Sequence, residues 1–109
     1  MNIINQELYI SDVSVKELAR RFGTPLFVYD EDRIRENFRR VHRAFTSRYP
    51  DTRLFYALKA NSHPAIAHIL RQEGAGMDTA SISEIQLAHS LGLRGEEIIF
   101  SGNFLSDED

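Results

Sequence analysis

Apolar positions recur in two alternating rhythms along the chain: short runs that suit strands, and wider spacings that suit one face of a helix. That alternation marks an α/β fold. Leu8-Tyr9-Ile10 predicts a short strand. Ser14 and Glu17 stand at the spacing of a capping box, ahead of a helix carrying Val15, Leu18, Ala19 and Phe22 on its apolar side. Gly23 supplies the left-handed cap that ends this helix, and Pro25 prevents its continuation. Residues 26–29 then read as a strand.

A long helix is predicted from Asp30, because Ile34, Phe38, Val41 and Phe45 recur at spacings of four, three and four and share a face. Its other face interleaves Arg33, Arg35, Arg39, Arg40 and Arg43 with Glu31, Asp32 and Glu36, which reads as a solvated surface and not as an anion-binding strip. Pro50-Asp51 marks a turn and residues 54–58 a strand. Ser62 and Pro64 open a further helix with Ile66, Ile69 and Leu70 inside, closing near Gly74. Gly74-Ala75-Gly76 could open a dinucleotide-binding turn. However, Thr79 occupies the third glycine position and a helix, not a strand, precedes the glycines, so a helix stop leading into a short strand is the better reading. Ser81 and Glu84 form a second capping box. Low-complexity tracts, linkers and internal repeats are absent.

Composition sets bounds on function. The chain has 109 residues, enough for one small domain with a modest core. A formal net charge of -3 gives no electrostatic case for nucleic acid or an anionic membrane as partner. No apolar run approaches membrane-spanning length, and Met1-Asn2-Ile3-Ile4-Asn5-Gln6-Glu7 has neither the basic start nor the apolar core of a signal peptide, so a cytoplasmic protein is expected. The chain has no cysteine, which removes disulfides and thiolate sites from consideration. His42, His63, His68 and His89 lack metal-ligand spacing, so no metal site is expected.

The residue with the most chemical content is Lys59, one of two lysines, at the end of the apolar run Phe55-Tyr56-Ala57-Leu58. Strand interiors disfavour lysine, and a buried ammonium without a partner shifts toward its neutral form. A neutral lysine is a nucleophile able to condense with an aldehyde, which points to a Schiff-base role with pyridoxal phosphate as the expected cofactor. The competing reading is structural: the stem covers apolar surface while the ammonium reaches water. Asp78 and Glu84 are the other candidates for chemistry. Spacing alone allows a turn role for the first and a helix-start bond for the second.

Phe55-Tyr56-Ala57-Leu58-Lys59-Ala60-Asn61 resembles the lysine motif of the alanine-racemase-like pyridoxal-phosphate decarboxylases, a group holding diaminopimelate, ornithine and arginine decarboxylases. Three further blocks are similar to that family in the same order: Gly23-Thr24-Pro25-Leu26-Phe27-Val28-Tyr29-Asp30; then Gly76-Met77-Asp78 with Ser81-Ile82-Ser83-Glu84-Ile85; then Ile98-Ile99-Phe100 with Gly102-Asn103. The resemblance implies an N-terminal part of a (β/α)₈ barrel that binds pyridoxal phosphate. It also implies that residues 1–30 contribute to a β-rich second domain, with residues 31–109 supplying the first β/α units. A complete barrel takes about 250 residues. Ser106-Asp107-Glu108-Asp109 reads as a helix start with no helix after it, so a piece of a longer enzyme is expected.

By the same resemblance Lys59 holds the cofactor, while Asp78 and Glu84 lie near it, Asp78 steering the ammonium. The phosphate-binding loops and the acidic partner of the ring nitrogen are expected beyond Asp109, so the 109-residue chain alone is expected to be inactive. Family members act on small amino-acid substrates and place active sites at a homodimer interface. The block at residues 23–30 and the helix before it favour diaminopimelate decarboxylase. Relatives commonly carry a lysine where Leu105 stands, which keeps ornithine, arginine and carboxynorspermidine decarboxylases open. An alternative of another class is a non-catalytic short chain that binds a partner through open sheet edges.

Overall fold

The computed structural model describes residues 1–103 and Ser106. The sequence expectations for residues 104, 105 and 107–109, including the Leu105 departure and the helix start at Ser106, lie wholly or in part outside these described residues. The chain separates into two compact units, residues 1–34 and 35–109.

The first unit contains a three-stranded antiparallel sheet in the order β1 (Asn2–Ile4), β2 (Glu7–Ile10), β3 (Val13–Ser14). Asn5 and Gln6 join β1 to β2 with φ of 50° and 64°, the left-handed pair that a tight two-residue hairpin requires. Sequence reading anticipated only the middle strand. Helix α1 (Val15–Phe22) follows directly and ends at Gly23, whose N–H reaches the Ala19 carbonyl at 2.9 Å. The expected Ser14 capping box is absent, since Ser14 is the N-cap residue but makes no side-chain cap bond. Its hydroxyl is committed instead to Glu7 on the neighbouring strand, and that bond heads the influences holding the Glu7 carboxyl below its ordinary range.

Residues 26–29 form no strand. A strand is defined by its ladder, and neither sheet among the described residues includes this stretch; Phe27 is 87% exposed. Asp30 then starts helix α2 (Glu31–Thr46): its Oδ1 accepts from the Arg33 N–H at 3.1 Å and its carbonyl from the Ile34 N–H at 3.0 Å. The predicted apolar stripe is present in sequence, yet α2 contains no buried residue.

The second unit is built on parallel pairing. Strands β4 (Phe55–Ala57), β5 (Gly76–Thr79) and β6 (Ile98–Phe100) lie in that order, with α3 (Pro64–Gln72) and α4 (Ile82–Ser90) as the intervening helices. Short 3₁₀ turns follow β4 at Leu58–Ala60 and precede β6 at Gly95–Glu97. These are two consecutive strand-helix-strand units, the arrangement that parallel pairing demands. The core lies here: Leu58, Ile66, Ala67, Leu70, Ala75, Met77, Ala88 and Leu93 are buried. Along β5, burial alternates with the pleat, Met77 and Thr79 being fully buried while Gly76 and Asp78 on the other face are half-buried.

Two glycines are needed where they stand. Gly74 closes α3 at φ 93°, with its N–H on the Arg71 carbonyl at 2.9 Å and the Ala75 N–H on Leu70 at 3.0 Å. Gly76 lies under the Phe55 ring of the adjacent strand, where an added Cβ would collide with that ring and come within 2.9 Å of the Glu97 carbonyl oxygen. The Gly74-Ala75-Gly76 segment is thus a helix stop and strand entry, as its context predicted.

The charged face of α2 is more than a solvated surface. Arg35 reaches Glu73 at 2.8 Å and Gln72 at 2.6 Å, and Arg39 reaches the same Glu73 carboxylate at 2.5 Å and 2.7 Å. The Glu73 side chain is only 8% exposed. Arg39 first and Arg35 second hold its carboxyl below the ordinary carboxylate range.

A candidate active site at the carboxyl edge of the parallel sheet

Parallel strands present all their carboxyl ends at one edge, and in α/β folds that edge carries the chemistry. Strand β4 ends at Ala57, and the 3₁₀ turn behind it faces two ways: Leu58 is fully buried and Lys59 is exposed. The expectation of a buried amine is therefore corrected, as is the five-residue strand at residues 54–58. The chain leaves the ladder at Leu58, and within the 3₁₀ turn that follows Leu58 packs into the core while Lys59 reaches solvent.

Other bonds fix the turn from both sides. The Tyr56 hydroxyl donates to the Asn61 carbonyl at 3.1 Å, spanning residues 57–60. Asn61 Oδ1 accepts from the His63 N–H at 3.0 Å, and His63 Nδ1 accepts from the Ala65 N–H at 3.2 Å, capping α3. The cap is thus His63 and not the expected Ser62. Histidine is an uncommon cap, but its unprotonated ring nitrogen offers the same acceptor that Ser or Asp would.

Asp78 lies within β5 and not in a turn, in register with Ala57 on β4 and Ile99 on β6. Partners in parallel register project to the same face, so Asp78 stands one strand away from the segment that leads into Lys59. The hydroxyl of Ser101, the first residue after β6, donates to Asp78 Oδ1 at 2.6 Å. Glu84 stands in the first turn of α4, where its N–H donates to Ser81 Oγ at 3.4 Å and its Oε2 accepts from the Ala80 N–H at 2.6 Å. The helix-start role read from sequence is therefore present, shifted by one residue from a standard capping box.

The carboxyl edge thus carries Lys59 just after β4, Asp78 near the end of β5 with Glu84 in the first turn of the helix that follows, and Ser101 just after β6. Lys59, Asp78 and Glu84 are not bonded to one another among the described residues: the two carboxylates engage Ser101 and Ala80. Ser101 went unnoticed in the sequence, although it lies between Phe100 and Gly102 in a recognised block. Its only signal is positional, directly after a strand as Leu58-Lys59 is after β4.

A reachable primary amine with carboxylates at the same edge fits a carbonyl-bearing cofactor, since condensation needs an accessible Nζ and a neighbouring acceptor for its proton. Among the described residues no cluster of histidine or acidic side chains could hold a metal ion. No described helix is long and apolar enough to cross a membrane.

Residues 32–109 match the family described as "Pyridoxal-dependent decarboxylase, pyridoxal binding domain". The chain is 44% identical over 102 residues to diaminopimelate decarboxylase of Methanothermobacter thermautotrophicus, a match spanning 94% of this chain and 24% of the relative. It is 36% identical over 92 residues to the lysine/ornithine decarboxylase of Selenomonas ruminantium, spanning 84% and 22%. The crystal structure of diaminopimelate decarboxylase from M. jannaschii in co-complex with L-lysine superposes with a TM-score of 0.91 at 33% identity, covering 98% of this chain and 26% of that one. The chain spans about a quarter of the length of these relatives. The α/β unit matches the N-terminal part of the relatives' pyridoxal-binding barrel domain.

Proposed function

Because the chain belongs to the pyridoxal-dependent decarboxylases, we propose that it carries the cofactor lysine of a diaminopimelate decarboxylase, which converts meso-diaminopimelate to L-lysine and carbon dioxide. The observation that carries this reading is the placement of Lys59: an exposed amine on a braced turn at the carboxyl end of β4, with Asp78 in register on β5. The 44% identity to a diaminopimelate decarboxylase supports the choice of substrate.

Pyridoxal phosphate, when bound, supplies an electron sink for the charge left as the carboxylate departs. Lys59 Nζ would hold the cofactor, and its amine, when free, would be placed to move a proton to or from the reacting carbon. Asp78, whose Oδ1 accepts from the Ser101 hydroxyl, would supply negative charge near the Lys59 amine at this edge. Glu84, tied to Ala80, lines the cofactor end of the site. Residues 1–30 belong with a β-rich second domain in this reading, and the whole enzyme is a cytoplasmic homodimer with an amino-acid substrate.

The second reading is an ornithine- or lysine-type decarboxylase of the same family, left open by Leu105, which weakens the diaminopimelate assignment, and supported by the likeness to the Selenomonas ruminantium enzyme. One experiment addresses both. The full-length protein is reduced with borohydride, digested, and mapped for cofactor mass on the Lys59 peptide, and carbon dioxide release is compared for meso-diaminopimelate, ornithine and lysine. Label on Lys59 with release from diaminopimelate alone is the expected result. Release from ornithine or lysine would replace the substrate assignment, and an unlabelled Lys59 would overturn the site.

A further inference from the structure

The bond between Ser101 and Asp78 joins two strands whose residues are 23 apart in sequence, and it lies at the edge where Lys59 stands. At 2.6 Å it has the length of a charge-assisted hydroxyl-to-carboxylate bond, the stronger class of hydrogen bond. Ser101 is itself anchored: its N–H donates to the Thr79 carbonyl at 2.8 Å, extending the ladder one residue past β6. Its Oγ also lies 3.4 Å from that carbonyl, so the hydroxyl has two acceptors within reach and is closer to the carboxylate. Thr79 returns the link by donating its Oγ1 to the Ile99 carbonyl at 2.9 Å. The next residue, Gly102, fits so closely that an added Cβ would collide with the Phe100 ring and lie 2.9 Å from the Ala80 carbonyl oxygen. The serine therefore projects from a backbone that has little freedom to shift.

We propose that Ser101 is a positioning residue for the active site: its hydroxyl fixes Asp78 Oδ1, which orients the carboxylate and leaves Oδ2 to act toward Lys59 and the cofactor. The inference rests on the reading of Lys59 as the cofactor-binding amine. Its physical basis is that a carboxylate held at one oxygen has a single orientation. A free carboxylate on a half-buried strand would sample several, and a misplaced charge at a reacting centre costs rate more than binding.

The test uses the full-length holoenzyme with Ser101→Ala, Ser101→Thr, Asp78→Asn and the Asp78→Asn/Ser101→Ala double variant. Each is measured for kcat, KM, the visible circular dichroism of the bound cofactor, and Lys59 labelling after borohydride reduction. Ser101→Ala is expected to lower kcat about tenfold with KM little changed, the scale of one hydrogen bond to a charged group, and to alter the circular dichroism band. Ser101→Thr, which keeps the hydroxyl, is expected to restore both, and the double variant to be no worse than Asp78→Asn alone. A wild-type band and kcat in Ser101→Ala, or a double variant whose losses multiply, would overturn the positioning role while leaving Lys59 labelled. Absence of label on Lys59 in the wild-type enzyme would instead remove the reading on which the inference stands.

Discussion

Tyr56 and Asn61 are joined across the turn that presents Lys59, the phenol hydroxyl donating to the main-chain carbonyl at 3.1 Å. The five-residue span means that a side chain on β4 determines where the chain re-enters on its way to α3. Tyr56→Phe removes the donor and leaves the ring. It is expected to destabilise the protein by about 0.5–1.5 kcal/mol and to slow reductive labelling of Lys59. Urea unfolding together with the time course of labelling checks both parts.

Glu73 makes the second unit sensitive to acid. Arg39 and Arg35 lower its carboxyl pKa below the ordinary 4.5, so the charged form is favoured by folding. The resulting stability is fully present above 4.5 and disappears as pH falls through the lower folded value. Glu73→Gln is expected to be less stable than wild type at neutral pH, with the gap closing under acid. Unfolding midpoints followed from neutral pH to below about 4 test this linkage. Parallel curves at every pH would refute it.

Met77 lies at the centre of the buried face of β5, fully enclosed, with β4 and β6 on either side. Met77→Ala is expected to cost about 2–5 kcal/mol, the range for truncating a large buried side chain. Chemical denaturation measures it. A loss below about 1 kcal/mol would mean that the neighbours collapse into the space.

Gly76 carries the opposite kind of constraint. Gly76→Ala places a methyl against the Phe55 ring and the Glu97 carbonyl, so overpacking of about 1–3 kcal/mol is expected. Pairing it with Phe55→Leu, which removes the ring, should recover part of that loss if the clash is the cause. The double-variant cycle reads this directly.

Much of this architecture is legible in the residues. Helices α1, α2 and α3 follow from apolar spacing, with Gly23 and Gly74 as stops, the start of α4 follows from the Ser81 and Glu84 spacing, and Lys59 stands out by its motif. What escaped prediction depends on partners distant in sequence. The Ser14 hydroxyl serves Glu7, although local spacing points to a helix cap, because a hairpin brings the two together. Arg35 and Arg39 look like a solvated row until the end of α3 delivers Glu73. Residues 26–29 have strand composition but no described ladder partner. Ser101 offers no chemical hint until the parallel register sets it beside Asp78.

The two-way turn after β4, with Leu58 enclosed and Lys59 outside, also limits how this protein can change through time. On the proposed reading of Lys59, adjacent codons specify a residue enclosed in the core and the residue that holds the cofactor. Mutations that loosen the first displace the second, so selection acts on the pair as one trait. Homologues that acquire new substrates are expected to do so through residues elsewhere on the edge, keeping this dipeptide while its surroundings diverge.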